Sequence, residues 1–289
     1  LAENKNASVW AYSESTGSWG DAFITGTTDD DISYNISGLE QASDFRVEIW
    51  ADGYSRQYYD DTSNWENATF VDTTSNATGI DFTLSAGKSI SGILTGLSSG
   101  ESAWLHAWSE TQKTGGGVQI TNIDGTNYRL NGDPNDTNQT GAFTIPNLTP
   151  GSDYKLDVWS DGYMNVFYDE SDPNGTSSWT DATEIDISSS DETEKNITLS
   201  AGGTITGTIQ GLSSGETAWV NVWSPSISAW GGTYVVGDGG DVTFSVRSLP
   251  AGDYIVEIYP AAHPHCFYWT DATSGNIALD SDVTWSESG

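Results

Sequence analysis

One sequence pattern occurs three times in this chain, and this internal repeat constrains the fold more than any other feature. The clearest match aligns SAGKSISGILTGLSSGESAWLHAWSE at 85–110 with SAGGTITGTIQGLSSGETAWVNVWSP at 200–225, without a gap. NASVWAYSE at 6–14 matches the ends of both lines, and FRVEIWADGY at 45–54 recurs as YKLDVWSDGY at 154–163. The repeat predicts three similar domains, with boundaries at 1–87, 88–202 and 203–289.

Within each repeat, apolar and polar residues alternate with a period of two, which is typical of strands buried on one face. Gly, Asn and Asp bound these short runs, as tight turns require, and no stretch has a helical period. The sequence therefore predicts an all-β chain of three tandem β-sandwich domains. The predicted core positions on one recurring strand are Phe45, Val47, Ile49, Tyr154, Leu156, Val158, Tyr254, Val256 and Ile258.

The stretch GAFTIPNLTPGSDYKLDVWSDGY at 141–163 resembles the carboxypeptidase-regulatory-like, transthyretin-like family. VTFSVRSLPAGDYIVEI at 242–258 repeats its turn, corner and strand, and 32–54 repeats them with the corner Pro-Gly replaced. The resemblance implies transthyretin-like or immunoglobulin-like sandwiches of seven strands, which recur as stalks, spacers and accessory modules of secreted and surface proteins. It specifies a fold more than an activity, because family members are generally not catalytic.

The first repeat departs from this pattern at its beginning. The other two repeats open with a strand of the form Ile-x-Gly-x-Ile/Leu, whereas the first begins at Leu1, where that strand has already ended. Two explanations follow: the chain was cut from a longer array, or a neighbouring molecule supplies the strand. The second would make the protein the subunit of a polymer, since an incomplete sheet is a template for association.

The charge balance excludes two classes of partner. Asp and Glu number 41 against 9 Lys and Arg, which gives a formal net charge of -32 at pH 7. Such a surface repels nucleic acid and anionic membranes. No run of 18 apolar residues predicts a membrane span, and the first residues lack the features of a signal peptide. We expect an extracellular or cell-surface protein whose export signal has been removed.

Two further features concern this location. Cys266 is the single cysteine, so an intrachain disulfide is impossible, although Cys266 could link two chains. Asn-x-Ser/Thr sequons are frequent, which favours an exported and glycosylated chain, although a β protein rich in Thr and Asn could acquire them by chance. The candidate glycosylation sites are Asn6, Asn35, Asn67, Asn76, Asn135, Asn138, Asn147, Asn174 and Asn196.

Aromatic residues alternate with aliphatic ones on the strands that come after the opening Ile-x-Gly-x-Ile/Leu strand of the repeat. If the aliphatic side faces the core, a row of rings lies on the outer sheet surface and marks contact with sugars or with another protein. The alternative is that the rings form the core and a neighbouring repeat covers the aliphatic side. The candidate contact residues are Trp10, Tyr12, Trp50, Trp104, Trp108, Trp159, Trp219 and Trp223.

Metal sites receive weaker support. Asp and Asn cluster in loops that could offer oxygen ligands to calcium, although no spacing matches a known calcium loop and solvated turns explain them better. His263, His265 and Cys266 form the short motif HPHC, which lacks a fourth ligand and reads more simply as an irregular loop. The calcium candidates are Asp29, Asp31, Asp133, Asp136, Asp169 and Asp172.

The sequence predicts no catalytic residues. His106, His263 and His265 accompany neither a serine elbow motif nor a separately placed acid, and no phosphate-binding glycine loop occurs. We expect a non-catalytic structural or adhesive protein, forming a surface filament or array through sheet edges and aromatic rows, by self-association or contact with other surface proteins. The alternative is a polysaccharide-binding accessory region of a secreted enzyme.

Overall fold

A computed structural model describes residues 1–27, 31–227, 229–268 and 276–278 of the chain. These residues form an all-β structure with several sheets, and the only helix among them is one 3-10 turn, Trp65–Asn67. The prediction of an all-β fold is therefore confirmed. Within this part of the chain, no helix is long and apolar enough to cross a membrane.

The strands are numbered in chain order. The first repeat contains β1 Asn6–Ser13, β2 Trp19–Thr25, β3 Phe45–Ala51 and β4 Gln57–Tyr58. The second contains β5 Lys88–Thr95, β6 Ser102–Ser109, β7 Thr114–Asn122, β8 Tyr128–Leu130, β9 Thr137–Asn138, β10 Ala142–Leu148, β11 Tyr154–Trp159, β12 Val166–Asp169, β13 Asp172–Thr176 and β14 Ile197–Thr198. The third contains β15 Gly203–Gln210, β16 Thr217–Ser224, β17 Ala229–Val236, β18 Val242–Leu249, β19 Ile255–Pro260, β20 Cys266–Tyr268 and β21 Asn276–Ala278.

The chain divides into two compact units. One contains Leu1–Val158 and Phe167–Thr198, and the other contains Trp159–Val166 with the described part of Leu199–Gly289. The first unit thus holds nearly all of the first and second repeats. The predicted division into three domains stays a prediction, although the sheets follow the repeats.

The third repeat shows the layered arrangement most simply. One sheet has the order β17-β16-β19-β20 and the other has the order β18-β15-β21. Alternate residues of both sheets meet in one apolar core, in which Val220, Val222 and Ile258 are completely buried. Burial of this apolar surface holds the two layers together.

The second repeat uses the same plan with additional strands. Its smaller sheet has the order β10-β5-β14, and the larger has the order β13-β12-β11-β6-β7-β8-β9. The predicted core strand is buried as expected, with Tyr154, Leu156 and Val158 all at 0% exposure. The extra strands β8, β9 and β13 come from insertions that the other repeats lack, which explains the variable repeat length.

The first repeat has one regular sheet, with the order β2-β1-β3-β4. Phe45, Val47 and Ile49 point into its core, as the alternation predicted. The opposite side of this core is covered by two extended segments, 32–38 and 80–84, which the structure does not assign to a sheet.

Each repeat fixes the turn after its aromatic strand with the same polar contact. Ser109 Oγ at the end of β6 donates a hydrogen bond to Asp153, whose other carboxylate oxygen accepts from Thr111 N–H at 2.7 Å. This contact brings the start of β11 against the end of β6. The equivalent pairs in the other repeats are Ser13 with Asp44 and Ser224 with Asp253.

A glycine contact recurs at the start of the second and third repeats. In the first unit, Gly87 N–H donates to Gly53 O at 3.0 Å, and Gly53 N–H donates to Asn147 Oδ1 at 3.0 Å. A Cβ on Gly87 would lie 2.6 Å from Asn147 Cα, so the contact requires glycine there. The same contacts recur inside the second unit among Gly162, Gly202 and Ser248.

Candidate functional site

The aromatic rings of the candidate contact strands lie on the outer faces of the larger sheets. The aliphatic residues between them face the core, where Val9, Leu105 and Val220 are all at 0% exposure. Trp104 and Trp219, which occupy equivalent positions, are 50% and 54% exposed, and Trp10, two positions further along its strand, is 42% exposed. The alternative in which the rings form the core is therefore wrong.

The first aromatic face is formed by Trp10 and Tyr12 of β1, Trp19 and Phe23 of β2, and Trp50 of β3. Trp10 and Trp19 stack at 5.7 Å between ring centroids, with an angle of 18° between the rings. Asp21 and Glu48 flank Trp10 on the two neighbouring strands. The face thus combines exposed rings with carboxylate acceptors.

Two arginines are also part of this face. Arg56 lies 4.7 Å from the centre of the Trp50 ring, and its Nε donates to Glu48 at 2.9 Å. Arg46 lies 4.6 Å from the centre of the Trp65 ring. Cation–π contacts of this kind stabilise the packing of an arginine on a ring. They also place two of the nine Lys and Arg residues of the chain on one face.

The second aromatic face is formed by Trp104, His106 and Trp108 of β6. His106 stacks on Trp108 with 6.2 Å between ring centroids, and His106 Nδ1 lies 3.3 Å from Asp157 Oδ1. Trp108 is half-buried, and its indole nitrogen donates to Glu110 at 3.0 Å. Trp159, at the end of β11, is 57% exposed.

The third aromatic face is formed by Trp219 and Trp223 of β16, Trp230 and Tyr234 of β17, and Tyr259 of β19. Trp219 is paired in register with Tyr234 on one side and with Tyr259 on the other, so three rings lie side by side across three strands. Trp223 is paired with Trp230, which is 81% exposed. A hydrogen bond to the Glu257 carboxylate raises the pKa of Tyr259.

These faces can bind a flat or extended partner. Exposed rings in a row bury large apolar areas on contact, and neighbouring carboxylates accept hydrogen bonds from hydroxyl or amide groups. Sugar rings and the surface of another protein both provide such groups. The acidic charge balance favours partners that are neutral or basic, since a net charge of -32 repels anions.

Sequence reasoning missed four of the most exposed rings. They lie on the strands next to the predicted rows, where a glycine takes one of the inward positions, Gly20 on β2 and Gly231 on β17, so the aliphatic alternation of those strands is interrupted. Their own alternation, as in WGDAFIT, could have revealed them. The missed residues are Trp19, Phe23, Trp230 and Tyr234.

The candidate glycosylation sites lie on the surface, with one informative exception. Asn138 is half-buried, and its amide group donates to Ala142 O at 3.0 Å and accepts from Ala142 N–H at 3.0 Å. Its amide nitrogen, which a glycan would occupy, is therefore already used. The exposed candidates are Asn6, Asn35, Asn67, Asn76, Asn135, Asn147, Asn174 and Asn196.

The carboxylates proposed for calcium serve local turns. Asp133 accepts from Asn135 N–H at 2.8 Å, and Asp169 accepts from Ser171 N–H at 2.8 Å. Asp172 Oδ1 likewise accepts from Asn174 N–H at 2.9 Å, whereas Asp31 and Asp136 are exposed. Asp29 lies outside the described residues. Within the described ranges, no three His, Cys, Asp or Glu side chains come together to hold a metal.

The HPHC motif does not bring its two histidines to one point. His263 Nε2 lies 3.4 Å from Glu216 Oε1, whereas His265 stacks on Tyr259 at 3.9 Å between ring centroids. Cys266 begins β20. The histidines thus contact different partners at the edge of the third aromatic face.

Comparison with known proteins adds little to this description. No protein-family model matches the sequence, and no curated protein matches it. Among solved structures, the chain is similar to the Bacillus anthracis TIE protein, with 13% identity and a TM-score of 0.22. The match covers 96% of this chain and 47% of that one, so the chain spans about half the length of that structure. A likeness this low supports neither a family nor a function.

Proposed function

We propose that the chain is a non-catalytic structural and adhesive protein of the cell exterior, which binds neighbouring molecules through its aromatic faces. The observation that carries this proposal is the recurrence of exposed rings on the same outer sheet face in all three repeats. Contiguous apolar surface of this kind is typical of contact sites. Its recurrence favours a contact made by every repeat over a single ligand site.

Other features support a mechanical role. The Ser–Asp contact ties the same two strands together in each repeat, and the glycine contact at 53, 87 and 147 joins the first repeat to the second within one unit. We propose that the short SAG segments at 85–87 and 200–202 act as such joints between successive repeats.

The second candidate function is carbohydrate binding in an accessory region of a secreted enzyme. The stacked pair of Trp10 and Trp19, with Asp21 opposite Trp10, favours it. Sugar rings stack on exposed indoles and donate hydroxyl hydrogen bonds to carboxylates. A polysaccharide would then replace a second protein as the partner of the same faces.

Sedimentation velocity and retention on insoluble polysaccharide would separate the two functions. We expect the purified chain to self-associate as its concentration rises, and more strongly at high salt, because salt screens the repulsion between acidic chains. The double variants Trp10→Ala with Trp19→Ala, and Trp219→Ala with Trp230→Ala, should lose this association. Ile123→Ala, which removes a 37% exposed apolar side chain outside the faces, is the matched control.

The outcomes are distinct. A chain that stays monomeric but is retained on polysaccharide, and loses retention in the Trp variants alone, would support the carbohydrate-binding function. Association that is equal in the wild type, the Trp variants and the Ile123→Ala control would contradict a role for the aromatic faces.

A further inference from the structure

The strand β17, Ala229–Val236, forms one edge of the larger sheet of the third repeat. The order of that sheet is β17-β16-β19-β20, so β16 covers one side of β17, and no strand of the described chain pairs with the other side. The connection to β18 is the short segment 237–241, and β20 lies at the opposite edge of the sheet. We call the uncovered side of β17 the open edge.

Hydrogen bonds on both sides of β16 show which backbone groups of β17 point to the open edge. Gly237 N–H, directly after β17, donates to Glu216 O at 2.7 Å, so Gly237 faces the β16 side. Ala261 N–H donates to Thr217 O at 2.9 Å on the β19 side, in agreement with this phase. The backbone groups of successive residues point to opposite sides of a strand. The residues whose N–H and C=O groups point to the open edge are therefore Trp230, Gly232, Tyr234 and Val236.

The other two repeats protect the equivalent edge. In the second repeat, β8 pairs with β7 and covers its outer side. In the first repeat, β2 carries Asp21 near its middle, and a charge on an edge strand opposes pairing with a further strand. The strand β17 has no charged residue and no proline, and its register with β16 has no irregularity. Of the three equivalent strands, β17 is thus the one that is suited to accept another strand.

The sequence of β17 is complementary to itself in one antiparallel register. Pairing centred on Thr233 places Trp230 opposite Val236 of a second copy, and these side chains are 81% and 52% exposed. It also places Gly232 opposite Tyr234 of the second copy, and a ring stabilises a sheet edge where it lies beside a glycine. A shift of the register by two residues would leave one outward-pointing residue without a partner.

The charge distribution allows two copies to approach along the open edge. Two chains with a formal net charge of -32 repel each other, but the segment 225–237 contains no charged residue. Asp238 is the first acid after this segment. In the register centred on Thr233, Asp238 would lie beside the uncharged turn before β17 of the second copy, and the two Asp238 residues would be at opposite ends of the contact.

We propose that β17 pairs antiparallel with β17 of a second copy of the chain, about a twofold axis beside Thr233. Residues that lie opposite each other in such a pair point to the same face. The two larger sheets then form one continuous sheet, and the third aromatic faces of the two copies meet side by side. A twofold contact uses the same surface of both molecules and closes as a dimer. This inference deepens the proposed function, on which it rests for the claim that the chain self-associates.

Hydrogen exchange, measured by NMR for individual amides of the chain of residues 1–289 at low and high protein concentration, tests the pairing. We expect exchange at Trp230, Gly232, Tyr234 and Val236 to slow by at least about tenfold on association, because strand hydrogen bonds protect amides. The control amides are Asp21 and Phe23, which should not change. They point outward at the edge of β2, since Gly26 N–H donates to Lys5 O on the β1 side.

Val236→Pro removes one N–H at the open edge and no hydrogen bond to β16, and proline is tolerated on an edge strand. This variant should raise the dissociation constant for self-association, measured by sedimentation velocity, by at least about tenfold, because a twofold contact loses the hydrogen bond twice. Val236→Ala keeps the N–H and is the matched variant, which should weaken association less than Val236→Pro does.

Edge amides that exchange equally fast in the dispersed and associated forms would overturn the proposal, as would equal slowing at Asp21 and Phe23. Protection that requires an added polysaccharide or another protein would contradict a second copy as the partner. Association that Trp10→Ala with Trp19→Ala removes and Val236→Pro leaves unchanged would contradict the edge pairing while retaining the aromatic faces as contacts. Loss of association in Val236→Pro, with none in that double variant, would support the edge pairing and contradict the role of the first aromatic face.

Discussion

At the scale of single residues, the Ser–Asp contact is the detail that sequence reasoning did not anticipate. Asp44, Asp153 and Asp253 resemble ordinary turn residues in the sequence, because each lies about 30 to 45 residues from its serine. Only the folded chain brings the partners together. The regular alternation at Phe45, Val47 and Ile49, by contrast, gives burial directly, since side chains of a strand point to opposite faces in turn.

We expect Asp153→Ala to lower the free energy of unfolding at pH 7 by about 1 to 2 kcal/mol, because it leaves Ser109 and Thr111 without their acceptor. Partial burial raises the pKa of Asp153, but hydrogen bonds from Ser109 and Thr111 outweigh it and the net pKa is lowered. Because folding lowers this pKa, the ionised carboxylate stabilises the fold at pH values above its ordinary pKa. This stabilisation is lost as the pH falls toward the lowered pKa of the folded state.

Urea unfolding at pH 7 and pH 3 measures both effects. The difference in stability between wild type and Asp153→Ala should be largest at pH 7 and should shrink at pH 3, where the Asp153 carboxyl group of the unfolded wild type takes up a proton. Asp161→Ala, at an exposed turn position, is the control. A difference that is the same at both pH values would show that the charge of Asp153 is not what stabilises the turn.

At the scale of elements, one glycine allows the two layers of each repeat to approach closely. It lies at an inward position on the strand that follows the aromatic strand, which is β2, β7 or β17. Gly116 faces Leu148 and Ile145, and Gly231 faces Leu249 and Val246, with Gly20 equivalent in the first repeat. These glycines were not recognised from the sequence because glycine carries no alternation signal. The aliphatic strands that pack over them were recognised, which is why the sandwich could be predicted and its spacing could not.

Gly116→Val should destabilise the chain by about 1 to 3 kcal/mol, because the added methyl groups enter a filled core. A Cβ there already lies 3.0 Å from Leu148 Cδ2. Thermal unfolding followed by circular dichroism measures the change. Gln119→Val, on the outer face of the same strand, should have almost no effect, and a comparable loss in both variants would contradict tight packing of the layers at Gly116.

At the scale of the whole molecule, the described chain combines an apolar interior, acidic loops and exposed rings on repeated sheet faces. The internal repeat and its alternation were sufficient to predict the all-β fold and to place the rings on strands. They could not decide which side of those strands faces outward, because both sides are apolar. Burial of Val9, Leu105 and Val220 decides it, and this leaves the rings free to contact a partner.

Oxidative footprinting of the tryptophans, with the chain dispersed and then in its associated or polysaccharide-bound form, tests the role of these faces most directly. We expect labelling of Trp10, Trp104 and Trp219 to fall by about tenfold on association, because a partner would exclude water from the rings. Labelling of Met164, which is half-buried and outside the aromatic faces, should not change. Tryptophans that label equally in both forms would contradict the proposal that the aromatic faces are contact surfaces.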